Sequence, residues 1–254
     1  MKKIPLLLLA GLLMALPAWS QYRNDNNNRV PLIGDEAPAF VAGSTNGPIH
    51  FPADYGRNWK ILFSHPRDFT PVCSTEILEL AWMAADFRRL GADLVVLSTD
   101  RLETHFRWKE ALEEVDFKNR GPVKISFPLV DDHDYTACNL YGMTHPNAKN
   151  GENIRGVFLI DRDNKVRAVF FYPSEIGRDT REILRTLIAL QKTDDNYNVK
   201  TPANWQPGEP VMVAYPNELM VKNMEEPSPI YFQYNWFMLY WTNQEPGNVH
   251  TEMR

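Results

Sequence analysis

The sequence predicts an α/β sandwich built on a mixed central sheet, followed by a small, irregular C-terminal domain. Three observations lead there. From residue 31 to 193, short apolar strand patterns alternate with amphipathic helix patterns. Near the end of that stretch, strand patterns at 157–160 and 166–171 flank Asp161-Arg162-Asp163-Asn164-Lys165, a hairpin signal that places antiparallel neighbours in the sheet. Beyond Thr193 the composition changes: Pro202, Pro207, Pro210, Pro216, Pro227 and Pro229 cut the chain into short pieces, and the aromatic run 230–241 follows.

Each element follows in chain order. Lys2 and Lys3 precede an apolar run at 6–16, and Ala18-Trp19-Ser20 fits a small-x-small cleavage rule. Residues 1–20 are therefore expected to be a signal peptide, directing export to the periplasm of a Gram-negative cell. The run is shorter than the roughly 20 apolar residues that span a bilayer. Residues 21–30 are polar and Asn-rich, a mobile segment by composition. Residues 59–64 read as a short apolar strand. Ile77, Leu80, Ala81, Ala84 and Phe87 fall at helical spacing, with Gly91 beyond the helix end. A buried strand is expected at 94–98, a helix at 101–114, a strand at 125–130 broken by Pro128, and a short helix at 134–141. After the hairpin, 179–192 close the first domain, 31–193, as a helix. The remaining residues, 194–254, form the C-terminal domain, whose aromatic run suits a dimer contact.

Of 254 residues, 44% are hydrophobic, enough for a packed domain with a smaller one appended. The net charge of −5 comes without a Lys/Arg-rich segment, which argues against nucleic acid or an anionic membrane as partner. The cysteines are two, Cys73 and Cys138. His65, His105, His133 and His145 lack metal-ligand spacing with them, so no metal is expected.

The chemistry is concentrated in residues 64–76, Ser-His-Pro-Arg-Asp-Phe-Thr-Pro-Val-Cys-Ser-Thr-Glu. A strand ends here and a helix begins, so Cys73 falls near the first helical turn. Unpaired N–H groups and the positive end of the helix dipole favour a thiolate at that position. Thr70 can place its hydroxyl beside the sulfur, while Pro66 and Pro71 stiffen the loop and shield it from water. A charged nucleophile, donors to a departing oxygen and a stiff pocket are what attack on an O–O bond requires.

The spacing Pro66-x-x-x-Thr70-x-x-Cys73, followed by Glu76, closely resembles the peroxiredoxin family, in its one-cysteine type with an extended C-terminal domain. Supporting segments are Pro38-Ala39-Phe40, Asn153-Ile154-Arg155-Gly156-Val157-Phe158, Tyr172-Pro173 with Gly177-Arg178, and Asn204-Trp205-Gln206-Pro207-Gly208-Glu209. The resemblance runs from about Pro31 to Val213 and fades beyond. It implies a thioredoxin-like fold, a homodimer or larger homo-oligomer, and thiol-dependent reduction of hydrogen peroxide and organic hydroperoxides, with no cofactor. It also implies roles. Cys73 attacks the peroxide and becomes a sulfenic acid; Thr70 and Arg155 orient the peroxide and stabilise the leaving oxygen. Glu76 and Arg178 hold that arrangement, and His65 lines the pocket or positions the loop.

Departures from the family pattern narrow the reading. Relatives that also cleave phospholipids carry a Gly-x-Ser-Trp-Gly stretch; here it is Gly56-Arg57-Asn58-Trp59-Lys60, without the serine. Archaeal-type relatives place resolving cysteines in an aromatic C-terminal segment, where this chain has Asn235-Trp236-Phe237-Met238. With no cysteine after Cys138, recycling falls to an external thiol of unknown identity or to Cys138, which is read as a buried structural thiol. Two other readings are a redox-linked holdase or scaffold, and a silent domain closed by a Cys73–Cys138 disulfide.

Overall fold

The computed structural model describes residues 29–144, 153–222, 228 and 230–242. The expected signal peptide, most of the expected mobile segment and His145 lie outside the described residues. Among those described, no helix is long and apolar enough to cross a membrane.

A five-stranded sheet organises the first part of the chain. Its strands are β3 (Trp59–Ser64), β4 (Ala92–Ser98), β5 (Leu129–Asp131), β6 (Arg155–Ile160) and β7 (Val166–Tyr172), in the order β5-β4-β3-β6-β7. β3–β4 and β4–β5 are parallel, while β3–β6 and β6–β7 are antiparallel, which gives the mixed sheet that the hairpin signal predicted. The turn joining β6 and β7 places Asn164 at φ 60°, a left-handed conformation that asparagine tolerates well. Lys60, which stands at the second glycine of the esterase stretch, closes this turn: its Nζ donates to Gly56 O at 2.8 Å and to Asn164 Oδ1 at 2.6 Å.

Alternation along the central strands separates two cores. On one face Trp59, Ile61, Phe63, Leu94, Val96, Val157 and Leu159 pack against three helices. These are α1 (Pro71–Arg89), α2 (Leu102–Leu112) and α4 (Thr180–Asp195), whose inner residues include Ile77, Leu80, Phe87, Trp108 and Leu187. On the other face Leu62, Val95, Leu97, Phe158 and Ile160 pack against the two-stranded ribbon β1 (Phe40–Ala42) and β2 (Ile49–Phe51), α3 (Thr136–Leu140) and Tyr141. Cys73 belongs to the first core and Cys138, on α3, to the second.

Several boundaries shift from the sequence expectation. Ile125 and Phe127 are buried, as the pattern required, but the strand proper starts at Leu129, after Pro128. Pro128 has no N–H to give a ladder and serves it through its carbonyl, which accepts from Val96 N. β2 went unforeseen, being only three residues long.

The proline-punctuated C-terminal part gathers four short strands into an antiparallel sheet, β10 (Tyr231–Asn235), β11 (Met238–Trp241), β9 (Val211–Val213) and β8 (Val199–Lys200), with α5 (Glu218–Lys222) beside it in sequence. The aromatic run is the β10–β11 hairpin, turning at Trp236-Phe237. α4 lends Ala189 and Ile188 to a small core with Val199, Trp205, Val211 and Trp241.

Candidate active site

The site forms where β3 gives way to α1. Thr70 caps the helix with extended backbone angles, and Pro71 occupies the first helical position, where its missing N–H costs nothing. The first closing bond runs from Ser74 N to Thr70 O, so Val72 and Cys73 have no intrahelical acceptor for their amides. Cys73 is in the first turn and fully buried. Its sulfur receives Arg155 Nη1 at 3.2 Å, from the start of β6.

Two buried arginines and one carboxylate surround that contact. Glu76, one turn beyond Cys73 on α1, accepts Arg155 Nη1 at 2.9 Å and Arg178 Nη2 at 2.7 Å on Oε2. Its Oε1 accepts both the Arg178 amide and Nε, at 2.8 and 2.9 Å. Burial alone would raise the Glu76 carboxyl, but the bonds and charge of Arg178, with the charge of Arg155, hold it below the usual carboxylate range. Arg178 Nη1 reaches Ser64 O and Gly156 O at 2.7 and 2.9 Å, and the guanidinium stacks 3.3 Å from the Phe63 ring centroid. Arg155 is steadied from its other side, since Nε and Nη2 donate to Ser174 O at 2.9 and 2.5 Å.

The structure thus brings Cys73, Glu76, Arg155 and Arg178 together. Thr70 and His65 differ in detail from expectation. The Thr70 hydroxyl donates to Arg67 O at 2.8 Å, inside its own loop, so its remaining capacity is as an acceptor. His65 does not face an open pocket: it is fully buried, with Nε2 2.8 Å from Asp68 Oδ1 and Nδ1 without a partner among the described residues. Pro66 beside it is buried as well.

Sequence reasoning missed the group that anchors this loop. Asp68 Oδ2 meets His105 Nδ1 at 2.7 Å, and His105 Nε2 meets Val130 O at 3.0 Å. Both partners are acceptors, so the ring that satisfies both is the imidazolium. Burial would lower the His105 value, yet the hydrogen bond and charge of Asp68 raise it overall. Asp68, raised by burial, is held low by His105 and His65. Asp100 ties the same loop by accepting from Asp68 N at 2.8 Å. His65, Asp68 and Asp100 place possible ligand atoms within 4.8 Å of one another, but Asp68 Oδ1, Asp68 Oδ2 and Asp100 Oδ2 are already engaged in hydrogen bonds. Asp68 sits inside the quoted motif; its buried partner on α2 gave no sequence signal. Phe69, next in line, adopts φ 55°, an uncommon conformation that turns the chain between buried Asp68 and the helix cap.

Comparison with known proteins agrees with this geometry. Residues 33–169 match the AhpC/TSA family, and residues 189–226 match the C-terminal domain of 1-Cys peroxiredoxin. The chain belongs to the peroxiredoxin family. A peroxiredoxin of Methanosarcina mazei is 44% identical over 191 residues, 75% of this chain and 87% of that protein. The 1-Cys peroxiredoxin of Dictyostelium discoideum is 38% identical over 182 residues, 72% of this chain and 73% of the relative. Among solved structures, the yeast mitochondrial 1-Cys peroxiredoxin has a TM-score of 0.71 at 33% identity, covering 83% of this chain and 98% of its own. A cysteine mutant of peroxiredoxin 6 from Arenicola marina has the same TM-score at 31% identity, covering 83% and 97%. As a peroxiredoxin, the protein has the thioredoxin-like fold and is a thiol-dependent peroxidase. The C-terminal family match extends the resemblance past Val213, to residue 226.

The second cysteine of this peroxiredoxin belongs to the core on the other face of the sheet. Cys73 and Cys138 are both free and buried in the structure, in separate cores. Burial first, and the neighbouring Asp132 next, push the Cys138 thiol well above its ordinary value.

Proposed function

We propose that this peroxiredoxin works by a one-cysteine cycle centred on Cys73, with Arg155 as the donor that acts on both sulfur and peroxide. The observation that carries the reading is the 3.2 Å contact between Arg155 Nη1 and Cys73 Sγ, within a buried Glu76–Arg178 frame. The Cys73 thiolate attacks one oxygen of the hydroperoxide: an S–O bond forms and the O–O bond breaks. The other oxygen leaves as alkoxide or hydroxide and takes a proton, giving alcohol or water. Arg155 orients the peroxide and stabilises the charge on that departing oxygen, while the Thr70 hydroxyl, its own proton given to Arg67 O, accepts from the hydroperoxide O–H and helps to orient it. Glu76 and Arg178 hold Arg155 in place.

Cys73 is then a sulfenic acid. An external thiol attacks it to form a mixed disulfide with loss of water, and a second thiol releases Cys73 as thiol plus the external disulfide. The yeast mitochondrial relative is described as resolved through glutathione and thioredoxin systems, which supports an outside reductant here. Cys138 is on the opposite face of the sheet, and a disulfide needs Cα atoms within about 7 Å. That supports leaving it out of the cycle. Because Cys73 is fully buried, a bulky thiol reaches it only when the first turn of α1 opens.

The reading includes a homodimer or larger homo-oligomer, supported by the exposed Phe232, Tyr234, Trp236 and Phe237 around the β10–β11 hairpin. It also includes export to the periplasm, supported by Lys2, Lys3 and the apolar run that follows. The central test is Cys73→Ser, which removes the nucleophile with little change of shape. Peroxide consumption with a small thiol should vanish while the circular dichroism spectrum stays native. Turnover within a few-fold of wild type would end the proposal.

A further inference from the structure

Arg155 begins β6 where the ladder to β3 breaks. The two strands pair from Lys60↔Ile160 to Phe63↔Val157. Ser64, the next residue of β3, meets β6 through its side chain. Its hydroxyl donates to Ile154 O at 2.6 Å and accepts from Gly156 N at 2.9 Å. Those are the two peptide groups on either side of Arg155. Gly156 N also bonds to Ile154 O at 2.9 Å, an i to i+2 closure that makes Arg155 the central residue of a γ-turn. A Cβ at Gly156 would come 2.9 Å from Met143 Sδ and 3.2 Å from Phe171 Cε1, so those side chains would have to shift to admit one.

We propose that Ser64 is a positioning residue, whose hydroxyl clamps this γ-turn and so sets the line along which Arg155 meets Cys73. A lone γ-turn bond holds the backbone weakly, and any rotation at Cα is multiplied along the arginine side chain. The hydroxyl adds one bond to each end of the turn, so both peptide planes beside Arg155 are fixed to β3. Ser64 is fully buried, and its carbonyl accepts Arg178 Nη1 at 2.7 Å. One residue thereby references both active-site arginines to the strand that leads into the Cys73 loop. The inference rests on the role given to Arg155 above.

The test measures the second-order rate of Cys73 with hydrogen peroxide, with near-ultraviolet circular dichroism as the check on native packing. Ser64→Ala should lose about tenfold, as expected when a reacting group is displaced by a fraction of an ångström. Ser64→Thr, which keeps the hydroxyl, should recover most of the rate, and Ser64→Val, its isostere without one, should behave like Ser64→Ala. In an Arg155→Ala background, Ser64→Ala should cost no more than about twofold further, because the residue acts through Arg155. An equal loss in both backgrounds, matching rates for the Thr and Val variants, or a wild-type rate in natively packed Ser64→Ala would each overturn the clamp. Loss of native packing in Ser64→Ala and Ser64→Val would make the hydroxyl a folding requirement and overturn it too. A wild-type rate in Arg155→Ala alone would instead remove the role of Arg155 on which the clamp depends.

Discussion

Truncating Arg155 separates catalysis from folding unusually well in this site. Arg155→Ala deletes the donor to Cys73 Sγ, one donor to Glu76 and two to Ser174 O. Glu76 is not stranded, because Arg178 still supplies its amide, Nε and Nη2. The Glu76 charge keeps its partner, and the stability cost is that of the lost hydrogen bonds, about 0.5–1.5 kcal/mol each and about 1.5–3 kcal/mol for the charged one, together with the cavity left by the side chain. The reacting sulfur has no such substitute. A hydrogen bond to a charged group contributes about 1.5–3 kcal/mol, and each 1.36 kcal/mol of barrier is about tenfold in rate. The expected loss is therefore about ten- to a hundredfold with hydrogen peroxide, and more if the same N–H also meets the leaving oxygen. The assay compares second-order rates of Cys73 with hydrogen peroxide and with a small alkylating agent, which needs the thiolate but has no leaving oxygen for Arg155 to stabilise. Peroxide should suffer more. An equal, small loss on both reagents would refute the transition-state role, and a melted protein would refute the claim that Arg178 alone keeps Glu76 satisfied.

Two further outcomes follow from the buried groups. Cys138→Ala should retain peroxidase turnover with a small external thiol, at a stability cost of about 1–2 kcal/mol for the deleted sulfur and its cavity; one equivalent of peroxide should give no Cys73–Cys138 disulfide by mass spectrometry, and excess should give Cys73 sulfinic acid. The His105–Asp68 pair makes stability depend on pH in a stated direction. A raised His105 value means its contribution is complete below the unfolded histidine value, roughly pH 6.5, and fades as pH rises through the folded one; the lowered Asp68 value means its contribution is complete above roughly pH 4 and fades on acidification. The His105 ring should titrate by NMR with a midpoint above about 6.5 and return toward it in Asp68→Asn, and a midpoint at or below 6.5 in the wild type would contradict the imidazolium.

The nucleophile was legible because its setting is local. Pro66, Thr70, Pro71, Cys73 and Glu76 lie within one loop and the helix turn after it, so their spacing survives as a motif. The β6–β7 hairpin was legible for the same reason, with Asn164 at its turn. Arg155 and Arg178 were named only through resemblance to a family, since nothing in their own neighbourhood announces a partner on α1. Buried apolar residues at 125 and 127 were read as strand because burial and strand pattern look alike in short runs, whereas pairing starts after Pro128.

By itself, then, the sequence determined the alternation of strands and helices, the mixed character of the sheet, and the place of Cys73 at a helix start, all of which depend on periodicity and near-neighbour chemistry. Tertiary structure alone decided what depends on side chains far apart in the chain. It joined β9 to β11 in the C-terminal sheet and set Asp68 against His105. It also put Cys138 across the sheet from Cys73, and turned Ser64 from a motif letter into the hydroxyl that brackets Arg155. The physical reason is that a hydrogen bond or a packed face has no sequence period when its two halves come from different elements, so only the fold brings them within reach.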